Sequence, residues 1–166
     1  MLNEAEQSQK VFQVLDQLGI SYTLHRHPAV YTVEEAMKHD AGIEGLHCKN
    51  LFLRDHKGRN HVLVVTENLK AIQVKEVGRK LGLGNLSFAS PERLMKYLGL
   101  EPGSVSPFGL INDENNQVLL ILDETLRQTE LINFHPNVNT MTVTLRYDDF
   151  EVFVQSTGNP SQVMAL

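Results

Sequence analysis

A lysine and an asparagine stand side by side where a glycine-containing turn leads into an apolar run. Lys49 and Asn50 follow Gly45 and precede Leu51–Leu53, a run typical of a buried strand. A cation and an amide at the start of a rigid strand suit an anionic or carbonyl-bearing ligand. Taken alone, a lysine in this place is more often a solvated residue at a sheet edge, so the pair needs support from elsewhere in the chain.

The other reactive side chains are, one by one, better explained as structural. Cys48 could be a thiol of lowered pKa beside Lys49, but a lone cysteine at a strand start is usually a small buried residue, and strand alternation points it away from the lysine's face. His135, before a proline, more often packs or caps. Lys75 and Arg79 share one face of a predicted helix, ordinarily a solvated one. No histidine pair has a zinc-binding spacing, and neither a nucleophile elbow nor a phosphate-binding loop occurs, so no metal or other cofactor is expected.

Composition places the chain among soluble globular proteins. Its 166 residues, 42% hydrophobic and 21% charged, are enough for one domain with a real core, and we expect residues 1–166 to form it. No segment approaches the ~20 apolar residues of a membrane span, and the acidic, polar N-terminus is unlike a secretory signal. A single cysteine fits a reducing cytoplasm. The net charge of −5 argues against broad nucleic-acid binding, including DNA, but allows a local basic patch that grips one RNA end.

Hydrophobic periodicity and turn residues predict helices that alternate irregularly with hairpins. The predicted helices are Asn3–Leu18, Val33–His39, Val74–Leu81, Ser90–Leu98 and, ending the fold, Asp148–Gln155. The predicted strands are Ile20–Leu24, Leu51–Arg54, His61–Thr66, Leu86–Ala89, Phe108–Ile111, Val118–Leu122, Leu131–Phe134 and Met141–Leu145, with the fifth and sixth forming a hairpin. Because the strands lack a strict βαβ rhythm, we expect an α+β fold with a mixed, mostly antiparallel sheet and helices packed around it.

Five short motifs, read in chain order, carry a family resemblance. They are His27-Pro28, Gly45–Leu53, Phe88–Glu92, Gly103–Gly109, and Phe134-His135-Pro136 with Asn139-Thr140. Together they resemble the bacterial prolyl-tRNA editing proteins, freestanding relatives of the editing domain inserted in bacterial prolyl-tRNA synthetase. The resemblance spans Tyr22 to Gly158 and implies a partly barrel-like sheet.

The resemblance implies that the chain hydrolyses the ester joining a wrong amino acid to tRNA(Pro). Lys49 corresponds to the family's essential lysine, Asn50 to the neighbouring asparagine and His135 to the pocket histidine. The Gly-x-x-x-Pro loop of the aminoacyl pocket corresponds to Gly103, Ser104, Val105, Ser106 and Pro107, and His27 joins the substrate-binding set. Relatives that clear cysteine usually carry Lys-Thr, so Lys-Asn implies alanine as the amino acid removed. Asn137 departs from the pattern, which has an apolar residue after His-Pro.

The implied chemistry assigns a task to each group. Lys49 is expected to bind negative charge near the terminal adenosine, and Asn50 with the backbone N–H groups of 103–106 to hold the substrate carbonyl and ribose hydroxyls. Mischarged tRNA(Pro) is the expected partner, with prolyl-tRNA synthetase as a transient one and no membrane. The candidate tRNA contacts are Lys70, Lys75, Arg79 and Lys80.

Two alternatives stay open. The same fold could clear cysteine or another small amino acid. The chain could also be a non-catalytic module that binds tRNA or a synthetase.

Overall fold

Eight strands form one mixed sheet in the computed structural model, which describes residues 2–166. The sheet order is β1-β7-β6-β2-β3-β5-β8, and β4 pairs with β2. The strands are β1 Tyr22–Arg26, β2 Leu46–Asp55, β3 His61–Glu67, β4 Leu86–Phe88, β5 Val118–Asp123, β6 Leu131–Phe134, β7 Met141–Arg146 and β8 Ser161–Met164. The helices are α1 Glu4–Gln17, α2 Val33–Asp40, α3 Val74–Leu81, α4 Pro91–Leu98 and α5 Tyr147–Thr157.

The pairing confirms the expected α+β class with a mixed sheet. Strand β1 pairs with β7, β7 with β6, and β2 with both β3 and β4, all antiparallel. The pairs β2–β6, β3–β5 and β5–β8 are parallel. Antiparallel strand pairs therefore outnumber parallel pairs by only four to three.

Strand β2 is longer than predicted and joins the two parts of the sheet. Its first residues, Leu46 and His47, pair with β6, and its remaining length pairs with β3 and β4. Consequently Lys49 and Asn50 lie inside the strand and not at its first residues, which corrects the predicted start at Leu51. The pairing of Leu46 and His47 with β6 extends β2 toward its N-terminus, and local periodicity does not predict pairing between distant segments.

The buried Asn133 on β6 holds the junction between β2 and β6. Its amide nitrogen donates to the carbonyls of Glu44 and Leu46, at 2.8 and 3.2 Å. Its amide oxygen accepts a hydrogen bond from the hydroxyl of Thr144 on β7. The side chain thus ties three strands together where the hydrogen-bond ladder is only two residues long.

Two predictions fail in the C-terminal half. The expected strand Phe108–Ile111 is part of a 3-10 helix, Pro107–Asn112, because Phe108 and Leu110 are drawn into the core. No hairpin forms there; β5 instead runs parallel to β3 and β8. Helix α5 does not end the fold, since β8 follows it at the sheet edge. The short, largely exposed sequence of β8 gives little periodic signal.

Hydrophobic side chains form one core on each side of the central strands. The larger core lies under α1, α4 and α5 and includes Phe52, and the smaller one lies under α3 and includes Leu53. Neighbouring residues of β2 therefore face opposite cores, as strand geometry requires. None of the helices described for residues 2–166 has the length and apolar character to span a bilayer.

A glycine pair in the α3 region gives a stability prediction. A Cβ at Gly78 would lie 2.0 Å from the carbonyl oxygen of Gly84, so the backbone must move to admit it. We expect Gly78→Ala to lower the free energy of unfolding in urea by about 1–3 kcal/mol. Gly42→Ala is the matched control, because its Cβ would meet nothing within 4 Å, and it should be neutral or slightly stabilising. Equal stability of the two variants would contradict the close contact at Gly78.

Candidate active site

A cavity of about 370 Å³ lies where β2, α2 and two loops meet. It brings together several of the residues that the sequence singled out, although these are far apart in the chain. Its walls are His27, Val30, Tyr31, Thr32, Ala36, His39, Asp40, Cys48, Lys49, Asn50, Asn68, Gly103, Val105 and His135.

Lys49 is a half-buried cation in this cavity. It pairs across the ladder with Thr66 of β3, so the two side chains share a face. Within residues 2–166 the structure records no carboxylate oxygen within 4 Å of its Nζ. Among these described residues, the charge of Lys49 is therefore not paired with a carboxylate.

A buried carboxylate beside this face has its own cation. Asp123 is fully buried, and its Oδ2 accepts from Lys70 Nζ at 2.7 Å and from Thr66 Oγ1 at 2.8 Å. Burial alone would raise the pKa of Asp123, but the hydrogen bonds from Lys70 and Thr66 outweigh burial and hold the pKa below its ordinary value. The ion pair anchors the segment after β3, which places Asn68 at the cavity wall.

Asn50 holds a loop, which differs from the expectation that its amide donates to the substrate. Its Nδ2 donates to the backbone oxygen of Val105 at 3.1 Å. Its Oδ1 is buried, and the described chain offers it no hydrogen-bond donor. An unpaired buried acceptor costs about 1–3 kcal/mol. The role of Asn50 is therefore to position the loop that contains Val105, because its unpaired oxygen makes it a poor contributor to the stability of the fold.

Cys48 lines the same cavity, but it lies on the strand face of Phe52, opposite the face of Lys49, as alternation predicted. It also packs against the larger core. Burial raises the pKa of its thiol, and the nearby charge of Glu67 adds to the rise. Cys48 is thus a neutral wall residue at pH 7.

Of the five predicted loop residues, Gly103 and Val105 line the cavity. Gly103 has φ +89°, a conformation that a residue with a side chain adopts only with strain. Ser104 lines a different surface depression. Ser106 is fully buried and accepts a hydrogen bond from the amide two residues on, and Pro107 is buried at the start of the 3-10 helix. These last two residues fix the shape of the loop from behind.

His135 points one ring nitrogen at a backbone carbonyl. Its Nδ1 lies 2.8 Å from the oxygen of Met141. Because a carbonyl only accepts, Nδ1 carries the hydrogen, and Nε2 of the neutral ring is an acceptor. Burial lowers the pKa of His135, the bond to Met141 opposes this in part, and the neighbouring His27 lowers it further. The ring is therefore neutral at pH 7.

His27 has no free ring nitrogen. Its Nδ1 lies 2.9 Å from the oxygen of Pro28, and its Nε2 lies 2.9 Å from Oγ1 of Thr142. Its ring centre is 5.4 Å from that of His39 and 6.0 Å from that of His135. His27 thus supports the wall between these two histidines. Despite the neighbouring imidazoles, residues 2–166 contain no group of three His, Cys, Asp or Glu side chains arranged to hold a metal ion.

The α2 side of the cavity was not predicted from the sequence. Thr32 caps the helix by accepting from the amide of Glu35, and the carboxylate of Glu35 accepts in turn from the amide of Tyr31, one residue before the cap. Asp40 lies 3.4 Å from Nδ1 of His47 on β2, which ties the helix end to the sheet. The cap revealed where the helix begins but not which of its residues face the cavity.

None of the four predicted tRNA-contacting residues lines the cavity, and three have partners. Lys70 pairs with the buried Asp123, Arg79 pairs with Glu76 on its own helix, and Lys80 donates to a backbone oxygen near the C-terminus. Lys75 is exposed, and across the described chain no salt bridge is recorded for it.

The Asn50 contact gives a prediction that needs no substrate. Asn50→Asp replaces the donor by an acceptor, which repels the oxygen of Val105. We expect faster amide hydrogen exchange in the loop 103–106 with exchange in the β2–β3 hairpin unchanged. Asn60→Asp is the control, because it alters a similar amide in the hairpin loop instead. Unchanged exchange in the loop would show that Asn50 does not hold it.

The chain is similar to proteins connected with aminoacyl-tRNA editing. Residues 27–153 match the family model of the aminoacyl-tRNA editing domain. Prolyl-tRNA editing protein ProX of Acetoanaerobium sticklandii is 44% identical over 163 residues, which cover 98% of this chain and 99% of that protein. Prolyl-tRNA synthetase associated domain-containing protein 1 of Mus musculus is 36% identical over 151 residues, 89% of each chain.

A solved structure shares the fold. It is described as a candidate trans-editing enzyme for prolyl-tRNA synthetase, with a TM-score of 0.72, 21% identity, and coverage of 100% of this chain and 98% of that one. The family model covers most of the chain, and two curated relatives are more than 30% identical over nearly all of their length. The chain belongs to the aminoacyl-tRNA editing domain family.

Proposed function

We propose that the protein is an aminoacyl-tRNA deacylase that removes alanine from mischarged tRNA(Pro). The observation that carries the proposal is the single cavity in which Lys49, the Gly103–Val105 loop and His135 meet. Family membership supports the reaction class, and the name of the 44% identical relative supports prolyl-tRNA as the substrate.

The reaction is hydrolysis of an activated ester. Water adds to the carbonyl carbon, the bond to the ribose oxygen breaks, and that oxygen leaves with a proton as the amino acid is released. Such an ester needs positioning and charge stabilisation more than a strong protein nucleophile. Lys49 supplies the positive charge, for a phosphate or for the oxyanion that develops at the carbonyl.

The loop and the histidine complete the positioning. Among the described hydrogen bonds none uses the backbone N–H of Gly103 or Val105, so both donors are available to a substrate oxygen. The neutral His135 offers Nε2 as an acceptor for a water or for the substrate ammonium group. Asn50 acts through the loop, which makes it a positioning residue.

Pocket size explains why alanine is removed and proline retained. A synthetase site built for proline loses only ~1–3 kcal/mol of apolar contact with alanine and cannot reject it strongly. A second site with a rigid wall can admit alanine and exclude the larger ring. The Gly103–Val105 loop suits this role, because buried Ser106 and Pro107 brace it.

The wider partners follow from the substrate. Of the four basic residues predicted to contact tRNA, Lys75 is exposed and has no salt bridge within residues 2–166, while Lys70, Arg79 and Lys80 would have to exchange a protein partner for RNA. Prolyl-tRNA synthetase is the proposed transient partner, since it produces the mischarged substrate. The cytoplasm, where translation takes place, is the proposed location.

A panel of charged tRNAs tests the function. We expect hydrolysis of Ala-tRNA(Pro), little hydrolysis of Pro-tRNA(Pro), and slower hydrolysis of Cys- and Ser-tRNA(Pro) and of Ala-tRNA(Ala). Preference for cysteine would identify the alternative editing activity. Absence of all turnover with retained tRNA binding would identify a binding module.

Lys49→Ala tests the site within the same assay. Loss of the cation should lower kcat/KM for Ala-tRNA(Pro) by about 100-fold or more, the range seen when a charge-stabilising group is removed. Arg146→Ala, which removes an exposed cation outside the cavity, is the control and should leave the rate unchanged. A near wild-type rate for Lys49→Ala would refute the assignment.

The pH dependence tests His135. Protonation removes the Nε2 acceptor, and because the pKa of His135 is lowered, this happens only below the ordinary histidine value of about 6.5. From about pH 8 to 5, kcat/KM should fall on an acid limb that lies below 6.5 and that His135→Gln lacks. An acid limb of unchanged position in His135→Gln would assign the titration to another group.

A further inference from the structure

A second cavity of about 400 Å³ adjoins the candidate active site. Asp40 and Asn68 line both, so the two spaces share one wall. The second cavity lies between α2 and the segment that follows β3, and we call it the side groove. Nothing in the proposed chemistry of Lys49 and His135 uses it.

Two exposed apolar side chains border the side groove. Met37 of α2 is 48% exposed, and Leu69 of the segment after β3 is 71% exposed. Single exposed apolar residues are common, but these two line the same groove from different elements.

The polar residues of the side groove favour a ring that carries N–H donors. Glu67 and Asp40 contribute carboxylates, of which Asp40 also contacts Nδ1 of the lining residue His47, and neither lysine nor arginine is among the lining residues. A phosphate is therefore disfavoured there. The side-chain amide of Asn68 makes no hydrogen bond recorded within residues 2–166, while its backbone amide donates to the oxygen of His47. Asn68 can therefore offer one donor and one acceptor to a base edge.

We propose that the side groove binds the adenine base of the terminal adenosine that carries the amino acid. The inference rests on the proposed function and names a subsite for the substrate. The ester and the base are attached to the same ribose, so their binding sites must lie one sugar apart. Two cavities that share Asp40 and Asn68 meet this requirement.

Asn68 recognises the Hoogsteen edge of the base in this arrangement. An asparagine amide pairs with adenine through the N6 amino group and N7. Met37 and Leu69 cover the faces of the ring, and the ribose lies over the shared wall. Deeper in the active site, the ester carbonyl reaches Lys49.

An atomic substitution in the RNA tests the contact. Ala-tRNA(Pro) ending in purine riboside lacks the N6 amino group, and the wild type should lose about tenfold in kcat/KM on this substrate relative to the natural end. Asn68→Ala should be slower on the natural end and no longer distinguish the two ends. A preference for adenine that survives Asn68→Ala would overturn the base assignment.

The apolar contact has a matched pair of variants. Leu69→Asp should raise KM for Ala-tRNA(Pro) about tenfold with little change in kcat, because it removes a contact made equally in the ground state and the transition state. Phe88→Asp is the control, since Phe88 is 64% exposed on β4 and lines neither cavity. Both side chains are exposed, so both variants should fold. Equal KM values for the two variants would overturn the role of Leu69.

Adenosine binding separates this inference from the proposed function. In an NMR titration of the wild type, adenosine should shift the methyl signals of Met37 and Leu69 and the side-chain amide signals of Asn68, whereas cytidine should not. Such shifts in a protein without deacylase activity would support the groove and refute the function. Normal deacylation without these shifts, or equal shifts with cytidine, would overturn the groove.

Discussion

The short parallel pairing of β2 with β6 is the constraint on which the site depends. Ile132 and Asn133 lie beside Leu46 and His47, and continuing this register by two residues brings Lys49 level with His135. Because β6 ends at Phe134, His135 can turn toward the cavity just as Lys49 reaches it. The hydrogen bonds of the Asn133 side chain therefore hold β2 and β6 in the register that aligns Lys49 with His135, although Asn133 contacts neither residue.

The sequence predicted the elements that are determined by local contacts. The predicted ends of α3 and α4 agree with the structure, where Gly82 and Gly99 follow the helices in the left-handed conformation and Ser90 caps α4. The strand order was less accessible. Parallel pairing of β3 with β5 and of β5 with β8 joins segments separated by whole helices, and periodicity carries no information about which segments meet.

The residues of the candidate site were likewise predicted only where a local motif marks them. The motifs identified Lys49, the Gly103 loop and His135, and the structure brings all three to one cavity. The hydrogen bond from Asn50 to Val105 could not be predicted, because two partners 55 residues apart leave no periodic trace. Asn68 was missed because an asparagine after a strand ordinarily signals a turn, and its position at the wall follows from the tertiary anchoring of its neighbours.

The ion pair between Lys70 and Asp123 has an electrostatic consequence for Lys49. Thr66 bonds the carboxylate of Asp123 and sits directly across the ladder from Lys49, so a second cation stands within one residue of that buried anion. The carboxylate of Asp123 is already held by Lys70 Nζ at 2.7 Å and by Thr66 Oγ1 at 2.8 Å. The fold thus neutralises its own buried anion with Lys70, and among the described residues the positive charge of Lys49 has no carboxylate partner and is available to a ligand.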